Sequence, residues 1–283
     1  MQSFKRLTNI TGLAVLIITF FVFYHSAERT GSLWDCGEFI LGAYKLQVVH
    51  PPGAGLFLLV GRIFAWVADL ISDDPADIAF AVNLLSSLCT SLAAMFIAWI
   101  TIYLGKLSLT GRTESTTSGQ NLALGFAGLT AGLATAFSTS IWFSAVEGEV
   151  YAMSTMFTAL TFWAAVRYYV EEDEDIAARW LVFSLFAGGL SVGVHLLSIL
   201  TFPAIALLVY FKKFTNHNLK GALIAMAAGV GAIVFVMKFI IVGIPTLWQQ
   251  MELFMVNSLG MPIHTGLIPV AVILAGLSYF VLN

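Results

Sequence analysis

Charge is what this sequence has least of. Only 10% of its 283 residues are Asp, Glu, Lys or Arg, 59% are hydrophobic, and mean hydropathy is +0.91. Soluble domains carry about 25% charged residues. That scarcity excludes a soluble enzyme with a single anchor and implies an integral membrane protein. Cysteine is nearly absent too. Cys36 and Cys89 cannot form a disulfide framework, and one is expected near the outer face and the other inside a span, so they are not expected to pair. The net charge of −3 is small and says nothing about nucleic acid, but with no basic patch or RNA-type motif no nucleic-acid partner is expected. There is no good signal-peptide cleavage site. The apolar run Phe4 to Tyr24 has a basic flank, but Ala27-Glu28-Arg29 is poor for cleavage, so the run reads as a signal anchor. No convincing internal repeat is present, which weakens a secondary-transporter reading. The chain stops at Asn283 inside the apolar run Ile268 to Leu282, as expected for a piece of a longer protein.

What remains is hydrocarbon-compatible helix. A span needs roughly 20 apolar residues, and about eight candidates occur, near 10–25, 79–104, 121–141, 150–170, 179–195, 197–211, 221–243 and 266–282. The run 53–71 is also apolar, but Arg62 and Asp69 interrupt it. If it does not cross, and the N-terminus is cytoplasmic, Lys5, Arg6, Lys106, Arg112, Arg167, Arg179, Lys212, Lys213 and Lys220 all lie on the cytoplasmic side. If it crosses, seven of these move outside, against the positive-inside rule. The pattern therefore predicts an interfacial or re-entrant helix at 53–71 within a first exterior loop, residues 26–78. Ser140 to Tyr151 and Gly243 to Gly266 become further exterior loops, and 105–120 and the EEDED run at 171–175 become cytoplasmic. Asn83, near the start of the second span, is a candidate for hydrogen bonding between helices. The expected fold is all-α, a polytopic bundle forming one transmembrane domain over 1–283.

Ionisable groups at a membrane boundary are functional candidates, and they cluster in the first loop, in DCGEFILGAYKLQVVHPP at 35–52. Asp35 and Glu38, three apart, share a helix face. One can act as a base while the other binds or orients. Helix capping is the competing explanation for Asp35. His50 precedes Pro51-Pro52-Gly53, a stiff turn that presents its imidazole just before the interfacial helix. Lys45 and Arg62 are the nearby cations. Glu147 and Glu149 open the segment that begins near Tyr151, and there too capping competes with ligation or acceptor contact. Their hard oxygens suit a divalent cation. Two carboxylates alone define no metal site, so no metal ligand is assigned and a divalent cation is the only cofactor entertained. His195, in GGLSVGVHLLS, falls near the same exterior face; Lys238 reads as a snorkelling group.

The order of a first span, an acid and then His-Pro-Pro about fifteen residues on resembles the protein O-mannosyltransferases, multi-span enzymes of the GT-C type. Asp35 and His50-Pro51-Pro52 match their pattern; Cys36 and Glu38 depart from it, standing where those enzymes have Glu and His. More closely, WDCGEF, HPPGAGLF, VEGEVYAMSTMF and GLSVGVHLLSIL, in order across 30–200, resemble one family, long catalogued as a membrane domain of unknown function and related to eukaryotic transmembrane O-mannosyltransferases. The resemblance implies a GT-C-like fold and a lipid-phosphate-dependent glycosyltransferase. Its donor would be a polyprenyl- or dolichyl-phosphate sugar, and its acceptor a Ser or Thr of an exported polypeptide. Asp35 would be the base. Glu38, Glu149, Glu147, Tyr151 and His195 would orient acceptor or sugar, and His50, Lys45 or Arg62 would meet the phosphate. The site would face the exterior or periplasmic side of a bacterial inner membrane or its equivalent. An enzyme glycosylating a lipid or glycan, or a non-catalytic transporter or scaffold, are the alternatives.

Overall fold

The computed structural model describes residues 2–51 and 53–282. All regular structure in them is helical. Two compact units divide the chain, Met1–Thr201 with Leu207–Asn216, and Phe202–Ala206 with His217–Asn283.

The first unit is built on α4 (Pro75–Thr110), a 36-residue helix that at 1.5 Å per residue runs about 54 Å. Its start is set locally. Asp74 accepts a hydrogen bond from the Ala76 amide at 2.9 Å, and Pro75 occupies the first turn, where its missing N–H costs nothing. Its buried face is rich in small residues such as Ser87, Ser91, Ala94 and Ala98, and neighbours come close. α1 (Gln2–Ser26), α5 (Ser118–Ala136) and α7 (Val150–Val170) pack along it. A Cβ added at Gly128 or Gly132 of α5 would sit 2.9 Å from the Ala98 or Ala94 carbonyl oxygen, so glycine is what permits that approach. A reciprocal capping box between Thr117 and Gln120 starts α5.

The predicted exterior loop is largely structured. It contains α2 (Cys36–Lys45) and α3 (Gly55–Asp69), which pack on each other and on α4. Phe39, Ala43, Phe57 and Ala65 are buried between them, which gives the apolar run at 53–71 a protein surface to cover. Cys36 and Cys89 are, as expected, unpaired, and both are buried.

Several boundaries differ from those hydropathy predicts. The run 121–141 is not one straight helix: α5 stops at Ala136, and α6 (Thr139–Val146) continues at a 67° bend. Ser138 adopts extended backbone there and returns its hydroxyl to the Thr135 carbonyl. The predicted loop 140–151 is thus mostly helix α6. The segment at 179–195 is α8 (Glu174–Ser191), followed by a 3-10 turn at Leu196–Thr201 and α9 (Phe202–Lys213).

In the second unit, α10 (Leu219–Phe235) does not end near 243. It passes through a π-helical stretch, Val236–Gly243, into α11 (Ile244–Asn257), a continuous helical stretch of 39 residues. The π turns lie directly before Pro245, whose ring would clash with an ordinary α-helical carbonyl, and they absorb a proline that otherwise reads as a loop signal. The turn before α12 (Leu267–Leu282) is clamped by Glu252, which accepts from the backbone amides of His264 and Gly266.

Where hydropathy alone predicts about eight spans, four described helical stretches are long and apolar enough to cross a membrane, or five if the bent α5–α6 pair is one. Polarity accounts for part of the difference: α8 carries Glu174, Asp175 and Arg179, and α7 interleaves Ser154, Thr158 and Thr161 with its apolar residues. The protein remains a polytopic helical membrane protein.

Candidate active site

At one end of the first unit, α2, the turn before α3, the start of α7 and the segment after α8 surround a cleft. Asp35, His50, Glu149, Tyr151 and His195 line it, with Phe39 and Val194 as apolar wall.

Asp35 is the residue before α2. The chain reaches it through Trp34, whose φ of 63° turns the backbone into the helix. The Asp35 side chain makes no capping hydrogen bond. Capping, the competing explanation for an acid at this position, therefore does not account for it, and the carboxylate faces the cleft. The same holds for Glu149, which precedes α7 without a side-chain cap bond.

His50 is held from two sides. Its ring Nδ1 lies 2.8 Å from Glu38 Oε2, and its backbone N–H donates to Glu38 Oε1 at 2.7 Å. The Gly53 amide closes the turn on the His50 carbonyl at 2.9 Å, with Gly53 at φ 78°, which suits glycine. Pro52, the second proline of the predicted stiff turn, lies outside the described residues. The ring also rests near Phe39, centroids 5.7 Å apart. Its far nitrogen, Nε2, looks at Asp35 Oδ2 across 3.8 Å. Glu38 is thus spent on fixing the imidazole. Through that hydrogen bond it raises the His50 pKa above the usual histidine value, and its own pKa falls below the usual carboxylate value.

Glu149 is buried, 7% exposed, and its Oε2 has no hydrogen-bond partner. Burial, with the Asp35 and Glu147 charges adding to it, pushes its pKa up to about 7. It is positioned by a scaffold that the loop sequences do not advertise. Ser86 of α4 exchanges hydrogen bonds with the Glu149 backbone at 3.3 Å. Gly148 donates its amide to Cys36 Sγ at 3.3 Å, and Asn83 Nδ2 donates to the Glu28 carbonyl at 2.7 Å. Asn83, expected to hydrogen-bond between helices, reaches α2 only through Cys36 Sγ at 3.7 Å; its amide instead holds the chain just after α1. Burial raises the Cys36 thiol pKa, which suits a structural role.

The other sequence candidates divide. Tyr151 and His195 lie together on the cleft wall, ring centroids 5.4 Å apart and planes tilted by 53°. Glu147 is half-buried beside Glu149 and does not line the cleft. Lys45 and Arg62 are elsewhere. Arg62 donates to the Tyr44 carbonyl at 2.6 Å, at the C-terminus of α2, and the Lys45 ammonium lies 4.4 Å from the Tyr44 ring centroid. Among the described residues that line the cleft there is no Lys or Arg.

Comparison with known proteins points the same way. A family profile described as "Protein O-mannosyl-transferase TMEM260 N-terminal domain" matches residues 35–218, from Asp35 through α9. A Dictyostelium discoideum protein named "Protein O-mannosyl-transferase tmem260" is 29% identical over 170 residues, covering 59% of this chain and 18% of that protein. A Mus musculus protein of the corresponding name is 27% identical over 158 residues, 56% of this chain and 19% of the relative. The chain spans less than a fifth of the length of these curated relatives. No solved structure matches. Because the profile covers most of the chain and begins at the cleft's own aspartate, the chain belongs to the TMEM260 N-terminal domain family of protein O-mannosyl-transferases.

Proposed function

We propose that the protein transfers a sugar, mannose in the first instance, from a polyprenyl-phosphate-type carrier to a Ser or Thr hydroxyl of an exported polypeptide, with inversion at the anomeric carbon. The observation that carries this reading is Asp35: a carboxylate at a helix start that caps nothing, exposed to a cleft shared with His50 and Glu149. The family relation supports the reaction class.

In this mechanism Asp35 accepts the proton of the acceptor hydroxyl. The hydroxyl oxygen forms its bond to C1 of the sugar, the bond from C1 to the phosphate oxygen breaks, and the lipid phosphate departs with the electron pair. Phosphate is already a competent leaving group, so no strong general acid is required. Glu38 acts through His50 by holding its ring. Glu149, Tyr151 and His195 would orient sugar or acceptor hydroxyls. The lipid tail would lie along the exposed apolar surface beside the cleft, within the membrane.

The test is transfer by the full-length protein in membranes, with polyprenyl-phosphate mannose and Ser- or Thr-containing peptides. The expected product carries one hexose on a hydroxyl, with anomeric configuration opposite to the donor. Hexose on the lipid or glycan fraction alone, or a product of retained configuration, would contradict the proposal.

A further inference from the structure

The cleft holds two imidazoles, and their neighbours give the two rings opposite tautomers. Glu38 Oε2 lies 2.8 Å from His50 Nδ1, so a neutral His50 carries its proton on Nδ1 and turns Nε2 toward Asp35, 3.8 Å away. At His195 the same ring position is used in the other sense. The Leu197 backbone N–H donates to His195 Nδ1 at 3.3 Å. A backbone N–H can only donate, so Nδ1 is the acceptor and the neutral ring carries its proton on Nε2.

The chain around His195 is built to hold it in place. Ser191, at the end of α8, and Ser198, in the 3-10 turn, are both fully buried, and their hydroxyls meet and close the segment between them. The Val194 and His195 amides both donate to the Ser191 carbonyl at 2.8 Å. The Gly193 carbonyl accepts from the Leu56 amide at 2.8 Å, which pins the segment to the start of α3. The ring lies beside Tyr151 on the cleft wall. With Nδ1 satisfied by its own turn, the polar atom left to His195 is a fixed N–H at Nε2, which has no hydrogen-bond partner among the described residues.

A group that can only donate suits a ligand that can only accept. Sugar and acceptor hydroxyls do both, and in the proposed reaction the attacking hydroxyl is met by Asp35. The phosphate of the donor has acceptor oxygens, and negative charge develops on it as the bond to C1 breaks. Lys45 and Arg62 are engaged at the end of α2, and His50 is turned toward Asp35.

We propose that His195 is a phosphate-binding residue: its Nε2–H donates to a non-bridging phosphate oxygen of the lipid-linked sugar and orients the donor through that contact. The proton stays on Nε2 as the phosphate departs, so His195 stabilises the leaving group without transferring a proton. That the ligand is a sugar donor rests on the transferase reading; recognition of a lipid phosphate by Nε2–H does not.

Binding of farnesyl phosphate, a prenyl phosphate without sugar, to detergent-solubilised full-length protein tests the assignment, with farnesol as the uncharged counterpart. Wild type should bind the phosphate more tightly than the alcohol. His195→Ala should weaken farnesyl phosphate by about 10- to 100-fold, as for a lost hydrogen bond to a charged group, and leave farnesol unchanged. His195→Gln, whose side-chain N–H reaches the Nε2 position, should recover most of the loss. His195→Asn, whose amide reaches only the Nδ1 position, should not. Nitrogen-15 histidine NMR should show the Nε2–H tautomer at His195. Far-UV circular dichroism and gel filtration establish that each variant is folded. A folded His195→Ala with wild-type affinity for farnesyl phosphate, or an equal loss for phosphate and alcohol, would overturn the proposal. So would an Nδ1–H tautomer at His195, or a wild type that does not distinguish phosphate from alcohol. Inorganic phosphate competing as well as farnesyl phosphate would overturn the assignment to a lipid-linked ligand. Absence of transfer under every condition, with phosphate binding still dependent on His195, would count against the transferase reading alone.

Discussion

Asp35 and Glu149 both stand where an acid commonly caps a helix, and neither does so. Acids at helix N-termini ordinarily spend an oxygen on a backbone amide. The absence of a cap bond at Asp35 and the unpartnered Glu149 Oε2 favour a functional over a merely local explanation. Their environments also differ: Asp35 is exposed, whereas burial and neighbouring charge hold Glu149 near a pKa of about 7. The sign of the linkage follows. An acid whose folded pKa is raised stabilises the fold least where it is ionised, so stability falls as pH rises from the ordinary carboxylate value through about 7. In chelator-containing buffer, Glu149→Gln is expected to raise the thermal midpoint relative to wild type at pH 8, by ~2–4 °C, and to leave it nearly unchanged at pH 4.5. Thermal scans at the two pH values check this. An equal effect at both would show that Glu149 titrates normally. Glu38→Gln should lower kcat by about 10- to 100-fold, as expected when a residue orienting a functional imidazole is lost, while also bringing the His50 pKa down toward the usual histidine value. Steady-state kinetics and histidine NMR titration read the two effects separately, and a purely structural residue would not move the second.

At the scale of elements, α2 and α3 make one packed unit, and Arg62 is part of its construction. Its guanidinium meets the Tyr44 carbonyl at the C-terminus of α2 and lies 5.4 Å from the Tyr44 ring. Arg62→Ala should therefore cost about 1.5 to 3 kcal/mol of stability, the range for a hydrogen bond to a charged group, with the donor KM little changed. A large rise in KM with unchanged stability would return Arg62 to the phosphate. Gly148→Ala should disturb the site from behind, because a Cβ there would meet Asn83 Oδ1 at 2.9 Å and Ile40 Cγ1 at 3.2 Å. Overpacking of this kind costs about 1 to 3 kcal/mol, and activity should fall more than stability as Glu149 shifts. Denaturant titration beside an activity assay compares the two.

These elements also mark what the sequence makes legible. The acid pair and the His-Pro-Pro-Gly turn are local features, and their assembly at one site follows from short-range pattern. The partition of α5 from α6 is invisible to hydropathy, because both sides of the bend are apolar. Pro245 reads as a loop signal although π turns carry it inside a helix. Lys45 and Arg62 read as phosphate contacts because charge beside a membrane suggests them. Their use at the end of α2 depends on how α3 packs, which no local pattern encodes. The supports of Glu149, namely Ser86, Asn83, Cys36 and Gly148, come from three separate segments; only Asn83, a polar residue near the start of an apolar run, offered a sequence hint.

At the scale of the molecule, the first unit has two chemically distinct ends. α7 begins at the cleft and, being 21 residues long, ends about 31 Å away, close to the roughly 30 Å of a bilayer's hydrocarbon core. At its far end the Arg112, Lys212 and Lys213 side chains gather on the Glu171 carbonyl and the Glu174 carboxylate. Acids and histidines at one pole and basic residues at the other match an orientation with the cleft outside and the basic pole cytoplasmic. Impermeant maleimide labelling of intact cells tests it with little background, since Cys36 and Cys89 are buried. Val48→Cys, at a position 95% exposed beside the cleft, should label in intact cells, whereas Glu172→Cys should label only after permeabilisation. The reverse pattern would place the site in the cytoplasm.

The most direct measurement on the whole proposal is the transfer rate of full-length Asp35→Asn against wild type, with polyprenyl-phosphate mannose and an exported-peptide acceptor. Both proteins would first be shown folded and equally expressed. A general base contributes about 10²- to 10⁴-fold, so a loss of that size, with no compensating shift in acceptor KM, is the predicted result. A folded Asp35→Asn that transfers at the wild-type rate would contradict it and remove Asp35 from the chemistry.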